Sequence, residues 1–160
     1  MKKTALYNEH INLNAKMVDF ADHMMPVNYS NGIQFEYNSI RNGNGMFDVS
    51  HMGQIVVEGD ESLQLLQFCL INDLKNIKIG EAQYSAICNE EGGIKDDIIV
   101  YCNKKNYMLI VNASNCKKIF NWIKYNNNWS CKVTNISNEF SAFTNAKLTV
   151  LATLSLSSYK

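Results

Sequence analysis

Three apolar segments joined by two short polar turns constrain the fold of this chain more than any other feature. They form the stretch QYSAICNEEGGIKDDIIVYCNKKNYMLIVN, which runs from residue 83 to residue 112. The turns NEEGG and NKKN are short, and Gly92 and Gly93 can adopt the positive φ values that tight hairpins require. Turns of this length can join antiparallel strands, whereas parallel strands need a long crossover. We therefore predict a three-stranded antiparallel meander.

Helices and two further strands are predicted around this meander. DESLQLLQFCLINDL starts with Asp60 as a predicted N-cap and has leucines at 63, 66 and 70 on one helical face. SNCKKIFNWIKYN directs Ile119, Trp122 and Ile123 inward, and IQFEYNSIRNG is a third helix that ends at Gly43. GQIVVEG and CKVTNIS have strand composition. Because no regular βαβ alternation links these elements, the predicted class is α+β, an antiparallel sheet with packed helices.

Charge and composition limit the partners that we expect. The 160 residues carry a formal net charge of +0, which provides no basic field for nucleic acid or an anionic membrane. No apolar run reaches the roughly 18 residues of a membrane-spanning helix, and no signal-peptide core follows the amino terminus. The five cysteines include no Cys-x-x-Cys pair, which favours buried thiols over disulfides or a zinc site. We expect a cytoplasmic protein without a metal, nucleic-acid or membrane partner.

Two adjacent aspartates precede the central apolar segment of the meander. Since side chains alternate along a strand, Asp97 shares one face with Tyr101, while Asp96 shares the other with Ile98. If the Ile98 face is the core, Asp97 and Tyr101 can face one ligand, and a semi-apolar pocket would raise the pKa of the Asp97 carboxyl. The alternative is that both aspartates lie at a solvated strand end and cap the turn.

Other candidate residues each have a structural alternative. FDVSHMG brings Asp48, Ser50 and His51 together, but catalytic triads gather from distant positions, so a turn with local backbone bonds is favoured. The other two histidines, His10 and His23, are interpreted as isolated surface or packing residues. Three further side chains either serve the fold or contact a heterocyclic ligand: Asn112 and Asn115 as helix caps, and Tyr84 as a core aromatic.

Several motifs occur in an order that resembles one known family. They are LYNEHINLNAKMVDFADHMMPVNY, GMFDVSHMGQIVVEG, LINDL, AQYSAICNEEGGIKDDIIVY and LIVNASNCKKIFNWI. Over roughly residues 4 to 138 the chain resembles the amino-terminal part of the glycine cleavage system T-protein, the tetrahydrofolate-dependent aminomethyltransferase. FDVSHMG and GGIKDDIIVY in combination are the most specific of these motifs.

The resemblance implies a reaction and a set of residues. The family moves the aminomethyl carbon from the lipoylated H-protein to tetrahydrofolate, a co-substrate, and releases ammonia. It uses no metal or redox cofactor. The family's catalytic aspartate corresponds to Asp97, and folate contacts correspond to Met52, Tyr84, Asp97, Tyr101 and Asn112.

The carboxyl end departs from the family pattern. The resemblance implies a folate-binding region over residues 1–138 and an unaligned tail over residues 139–160, whose composition fits a frameshifted gene end. The implied fold is then an incomplete T-protein folate-binding domain in a truncated chain. Alternatives are an inactive fragment, a partial folate- or partner-binding module, and a folate-dependent iron–sulfur maintenance paralogue.

Overall fold

The computed structural model describes residues 1–147 and 150–158, and the expectation for tail residues 148, 149, 159 and 160 lies outside the described residues. In chain order the strands are β1 (Lys2–Lys3), β2 (Lys16–Phe20), β3 (His23–Asn28), β4 (Asn44–Asp48), β5 (Gly53–Glu58), β6 (Ala82–Cys88), β7 (Ile94–Cys102), β8 (Asn106–Val111), β9 (Lys132–Asn135), β10 (Phe140–Lys147) and β11 (Val150–Ser158). The helices are α1 (Tyr7–Asn12), α2 (Gly32–Asn42), α3 (Ser62–Cys69) and α4 (Cys116–Tyr125). The predicted α+β class is confirmed.

The chain divides into two compact units. Unit 1 comprises Met1–His51 with Asn138–Lys160, and unit 2 comprises Met52–Ser137. Unit 2 contains a five-stranded sheet in the order β6-β7-β8-β5-β9, in which every neighbouring pair is antiparallel. The predicted meander is confirmed as β6, β7 and β8. In its first turn Gly92 has a φ of 81°, whereas Gly93 does not have a positive φ.

The core of unit 2 combines one face of its sheet with α3 and α4. Along β5, β7 and β8 the alternation of a strand directs every second side chain into this cluster. The predicted inward positions of α4 are confirmed, because Ile119 and Ile123 are fully buried and Trp122 packs against the cluster partly buried. Helix α3 adds the buried side chains Leu65, Leu66 and Cys69.

The predicted N-cap of α3 is wrong. The helix begins at Ser62 rather than directly after Asp60, and no side chain caps its first amides. Gly59 has a φ of 128°, and its carbonyl oxygen accepts hydrogen bonds from the backbone N–H and the hydroxyl of Ser62. Asp60 therefore lies inside a turn that precedes the helix. The positive φ of Gly59 is accessible to glycine, and the helix starts one residue later than predicted.

The described residues of unit 1 form two three-stranded sheets and two helices. The sheet orders are β1-β3-β2 and β11-β10-β4. Helix α2 ends at the predicted Gly43, although Ile33 and Tyr37 are exposed. A Cβ at Gly45 in β4 would come within 2.5 Å of the Ile40 side chain, so α2 approaches β4 closely at this point. None of the helices in the described residues is both long enough and apolar enough to cross a bilayer.

His10 is not isolated, contrary to the expectation from sequence. Its ring is buried, its Nδ1 lies 2.8 Å from the Tyr29 hydroxyl, and its Nε2 lies 3.0 Å from Asp48 Oδ2. These partners are 19 and 38 residues away in sequence, so local spacing could not reveal the contact. The histidine links α1 to the chain before α2 and to β4 within unit 1.

Candidate functional site

The two aspartates of β7 lie on opposite faces of the sheet. Asp96 is buried, with 6% of its surface exposed, and Ile98 follows it on the core face. Asp97 is exposed on the other face, which it shares with the half-buried Ile99 and Tyr101. The alternation expected from the sequence is therefore confirmed. It leaves one carboxylate open to solvent and one inside.

Tyr84 binds the exposed carboxylate. Its hydroxyl donates to Asp97 Oδ2 at 2.8 Å. Tyr84 lies opposite Ile99 in the pairing of β6 with β7, so its ring reaches diagonally to the residue two positions before Ile99. Because Tyr84 is itself exposed, the hydrogen bond forms on the open face of the sheet.

Asn112 connects the two aspartates. It directly follows β8, where the pairing of Ile98 with Val111 brings the end of β8 beside the start of β7. The Asn112 side-chain Nδ2 donates to Asp97 Oδ1 at 2.8 Å and to Asp96 Oδ1 at 2.8 Å. Asn115 Nδ2 donates to Asp96 Oδ1 at 2.9 Å.

The two alternatives for these asparagines are now distinguishable. Neither Asn112 nor Asn115 makes a side-chain cap to the helical amides that follow it. Both side chains are held by carboxylates of β7 instead. The solvated-end alternative for the aspartates also fails for Asp96, because that carboxylate is buried and accepts hydrogen bonds. The sequence did not reveal this link because it joins residues 16 to 19 positions apart.

The expected rise in the pKa of Asp97 is wrong. Hydrogen bonds from the Tyr84 hydroxyl and then from the Asn112 amide lower the pKa of the Asp97 carboxyl, and its exposure keeps the opposing effect of burial small. The same bond to Asp97 raises the pKa of Tyr84. At neutral pH the pair therefore consists of an ionised carboxylate and a protonated phenol. The arrangement can accept hydrogen bonds and stabilise positive charge, but it does not supply an acidic proton.

Tyr101 and Met52 are less directly connected to this cluster. Tyr101 lies four residues from Asp97 on the same face, about 13 Å along the strand at 3.3 Å per residue. Burial raises the pKa of its hydroxyl. Met52 directly precedes β5, and extending the pairing of Gly53 with Val111 by one residue places it opposite Asn112. No hydrogen bond between described residues joins Tyr101 to Asp97.

The FDVSHMG segment forms a turn, as expected. The backbone N–H of Ser50 donates to Asp48 Oδ1 at 2.9 Å. The Ser50 hydroxyl exchanges hydrogen bonds with the backbone of Ala142. The His51 ring packs against the rings of Phe20 and His23. These contacts do not form a nucleophile–base–acid arrangement. Within the described residues no cluster of three or more His, Cys, Asp or Glu is arranged to hold a metal ion.

Sequence comparison assigns the chain to a family. A family model described as the GCVT N-terminal domain matches residues 6–145. The chain belongs to this family. The match includes every residue of the candidate site, from Met52 to Asn115. The resemblance to the glycine cleavage T-protein that the motifs indicated is thereby confirmed at the level of the family.

Relatives of this family carry a consistent name. The chain is 50% identical over 125 residues to an aminomethyltransferase of Thermosipho melanesiensis, which covers 78% of this chain and 34% of that protein. It is 42% identical over 142 residues to an aminomethyltransferase of Staphylococcus carnosus, covering 88% of this chain and 39% of that protein. The chain thus spans little more than a third of the length of these curated relatives.

A solved structure has the same fold. The crystal structure of glycine cleavage system aminomethyltransferase T from Bartonella henselae superposes with a TM-score of 0.85 at 32% sequence identity. The superposition covers 91% of this chain and 40% of that chain. Nearly the whole chain therefore has the arrangement of helices and antiparallel strands found in that aminomethyltransferase.

Proposed function

We propose that this chain provides the folate-binding carboxylate site of an aminomethyltransferase in the glycine cleavage system. The reaction moves the aminomethyl carbon from the lipoylated H-protein to tetrahydrofolate. The observation that carries the proposal is the Asp97 carboxylate, held by Tyr84 and Asn112 on an open sheet face of a family member. A cytoplasmic location belongs to the same proposal, supported by five free cysteines, since thiols persist in reducing compartments.

The carboxylate suits a reduced pterin. Tetrahydrofolate supplies the two nitrogens, N5 and N10, that bind the transferred carbon. The carbon–sulfur and carbon–nitrogen bonds of the aminomethyl group break, and the hydrogens displaced from N5 and N10 leave on the dihydrolipoyl thiol and on ammonia. In this proposal Asp97 accepts a hydrogen bond from the ring and stabilises the positive charge that develops beside it. Tyr84 and Asn112 keep that carboxylate oriented and ionised.

Two further residues, Tyr101 and Met52, complete the proposed folate contacts. Tyr101 extends the same sheet face beyond Ile99 and offers an aromatic ring and a hydroxyl. Met52 adds an apolar side chain at the start of β5, in register with Asn112. The distance of about 13 Å between Asp97 and Tyr101 exceeds a pterin ring alone, so Tyr101 contacts the part of folate beyond the pterin.

Calorimetric titration of the 160-residue chain with tetrahydrofolate tests the proposal. We expect micromolar binding in the wild type and at least about tenfold weaker binding in Asp97→Asn, which cannot hold a negative charge. Asp60→Asn is the matched control, because it makes the same chemical change at an exposed residue of the same unit. No binding by the wild type, or equal binding by Asp97→Asn, would contradict the proposal.

A second candidate is a binding module without turnover, favoured by the lowered pKa of the Asp97 carboxyl, which leaves that group without an acidic proton to supply. Ammonia release from aminomethylated H-protein separates the two. Release that depends on Asp97 supports the transferase. Micromolar folate binding without release supports the module.

A further inference from the structure

Asp96 is a buried carboxylate to which the proposed reaction gives no role. It lies on the core face of β7 with 6% of its surface exposed. Three donors reach its two oxygens: the backbone N–H of Asn112 at 3.2 Å, Asn112 Nδ2 at 2.8 Å and Asn115 Nδ2 at 2.9 Å. Burying a carboxylate is costly unless hydrogen bonds compensate it, and these three supply that compensation.

The orientation of the Asn115 amide is fixed by Lys118, which binds the oxygen of that amide. Lys118 Nζ donates to Asn115 Oδ1 at 3.3 Å and to the backbone carbonyl of Lys95 at 2.8 Å. Because an ammonium group only donates, the oxygen of Asn115 must face Lys118 and its NH₂ group must face Asp96. The ammonium group of Lys95 lies over the ring of Trp122, 4.0 Å from the ring centroid. Lys118 is therefore the lysine that binds the Asn115 amide.

The orientation of the Asn112 amide follows from its two neighbours. Its Nδ2 lies 2.8 Å from an oxygen of Asp96 and 2.8 Å from an oxygen of Asp97. An ionised carboxylate only accepts, so both N–H bonds of this NH₂ group are used, one for each aspartate. No hydrogen bond among the described residues uses Asn112 Oδ1. This oxygen is also not one of the buried side-chain atoms that lack a partner, so it is accessible. The oxygen is the polar atom that Asn112 has left for a ligand.

We propose that Asp96 is a positioning residue that holds the Asn112 amide in one orientation, so that Asn112 and Asp97 together present only hydrogen-bond acceptors to the ligand. The acceptors are Asn112 Oδ1 and the remaining lone pairs of Asp97. The identity of the ligand rests on the proposed function, and the positioning itself does not. Such a site selects a heterocycle that brings N–H donors and rejects one whose ring nitrogens are acceptors.

The inference distinguishes two oxidation states of one ligand. Tetrahydrofolate carries hydrogens on ring nitrogens N5 and N8, whereas in folic acid these nitrogens have none and can only accept. A site made of acceptors should therefore bind tetrahydrofolate at least about tenfold more tightly than folic acid, the effect of one charge-assisted hydrogen bond. If the Asn112 amide is released, its NH₂ group can turn outward and this discrimination falls.

The first test needs no variant and no ligand. In the wild-type chain both side-chain amide protons of Asn112 should exchange with solvent more slowly than those of Asn128, an exposed asparagine of the same unit. They should also have two separate NMR resonances that shift when Asp97 titrates. Exchange at the rate of Asn128 would overturn the positioning role, whether or not a variant folds.

The second test uses Asp96→Asn in the full chain. Asparagine has one accepting oxygen where aspartate has two, so it cannot satisfy all three donors. We expect the Asn112 amide protons to exchange faster and the ratio of folic acid to tetrahydrofolate dissociation constants to fall about tenfold, with Asp60→Asn unchanged in both. A merely structural role would lower the melting temperature and leave the ratio and the exchange of the Asn112 amide unaltered.

The outcomes separate this inference from the proposed function. If the wild type binds neither folate, the proposed function fails, while the exchange of the Asn112 amide in the wild type and in Asp96→Asn still decides the positioning role. If the wild type binds tetrahydrofolate and Asp96→Asn retains both the ratio and the wild-type exchange of the Asn112 amide, the positioning role fails and the proposed function stands. If Asp96→Asn does not fold, the exchange rates of the wild-type amide decide.

Discussion

At the scale of single residues, the Tyr84 hydroxyl is the main reason that Asp97 has a lowered pKa. Replacing Tyr84 with phenylalanine removes that donor and leaves the ring. We therefore expect the pKa of Asp97 in Tyr84→Phe to rise toward the ordinary aspartate value of about 3.9. Carbon-13 NMR titration of the Asp97 carboxyl measures this directly.

Tyr101→Phe is the control for that change. It removes a phenol hydroxyl from the same sheet face, but no described hydrogen bond joins Tyr101 to Asp97. Its titration should match the wild type. A rise in the pKa of Asp97 in Tyr101→Phe, or no rise in Tyr84→Phe, would show that the hydroxyl of Tyr84 does not control this carboxylate.

The pH dependence of the Tyr84–Asp97 bond has a definite sign. The folded pKa of Asp97 lies below its unfolded value, so its stabilisation is present above about pH 3.9 and is lost as the pH falls through the folded pKa. The folded pKa of Tyr84 lies above its unfolded value, so its contribution is present below about pH 10 and is lost as the pH rises through the folded pKa. The bond thus stabilises the fold between these two limits.

Gln54 is a residue whose burial costs stability. It is fully buried, and among the described residues neither its Oε1 nor its Nε2 has a hydrogen-bond partner. Methionine has nearly the same shape without the unsatisfied polar atoms. We expect Gln54→Met to raise the free energy of unfolding by about 1–3 kcal/mol, measured by urea denaturation. Gln64→Met, at an exposed position of α3, should change it little, and a destabilised Gln54→Met would indicate an unseen partner.

At the scale of elements, the sequence predicted those whose pattern is local. The meander was predictable because each strand alternates with period two and each connection is short. Helix α4 was predictable because Ile119 and Ile123 repeat at helical spacing. The start of α3 was not, since the turn at Gly59 depends on a positive φ that no periodicity records. Pattern fixes the type of an element more firmly than its boundary.

The candidate site was predictable only within one strand. The shared face of Asp97 and Tyr101 follows from alternation along β7. The bond from Asn112 to both aspartates, and the links from Asn115 and Lys118, depend on how the ends of β7, β8 and α4 meet in space. The available signal for these links was an aspartate on the core face near the start of a strand. A buried carboxylate there requires hydrogen-bond donors from a neighbouring element.

The contact between β5 and α4 leaves no room for a side chain at Gly53. A Cβ there would lie 2.5 Å from Cys116 Sγ and 2.6 Å from Val111 Cγ2. Gly53 does not have a positive φ, so the cost of a substitution is the clash and not backbone strain. We expect Gly53→Ala to lower the free energy of unfolding by about 1–3 kcal/mol, measured by denaturant titration.

Gly93→Ala is the matched control for this contact. A Cβ at Gly93 would meet only the side chain of Asn89, at 3.2 Å and not at the 2.5 Å found for Gly53. Its stability should therefore lie closer to the wild type than that of Gly53→Ala. If both variants lose equal stability, the general effect of replacing glycine in this sheet would account for the loss, and the close approach of α4 would not.

At the scale of the whole molecule, the described parts of the chain form two units, and the main hydrophobic cluster and the candidate site both lie in unit 2. Every member of the main hydrophobic cluster lies between Ile55 and Cys131, inside unit 2. Tyr84, Asp97 and Asn112 also lie inside unit 2, and their mutual hydrogen bonds need no residue of unit 1. The candidate site and the core that supports it are thus encoded by one continuous segment.

We therefore expect residues 52–137 to fold without the rest of the chain. A segment of this length can hold a core of its own, and its five strands pair with one another. It should give a dispersed NMR spectrum, a cooperative thermal transition and an Asp97 pKa that is lowered as in the full chain. The same segment with Ile123→Ala, which truncates a fully buried side chain, should lose about 2–5 kcal/mol of stability. A segment without cooperative unfolding would mean that unit 1 is required for the core, and a folded segment with an ordinary Asp97 pKa would mean that it is required for the site.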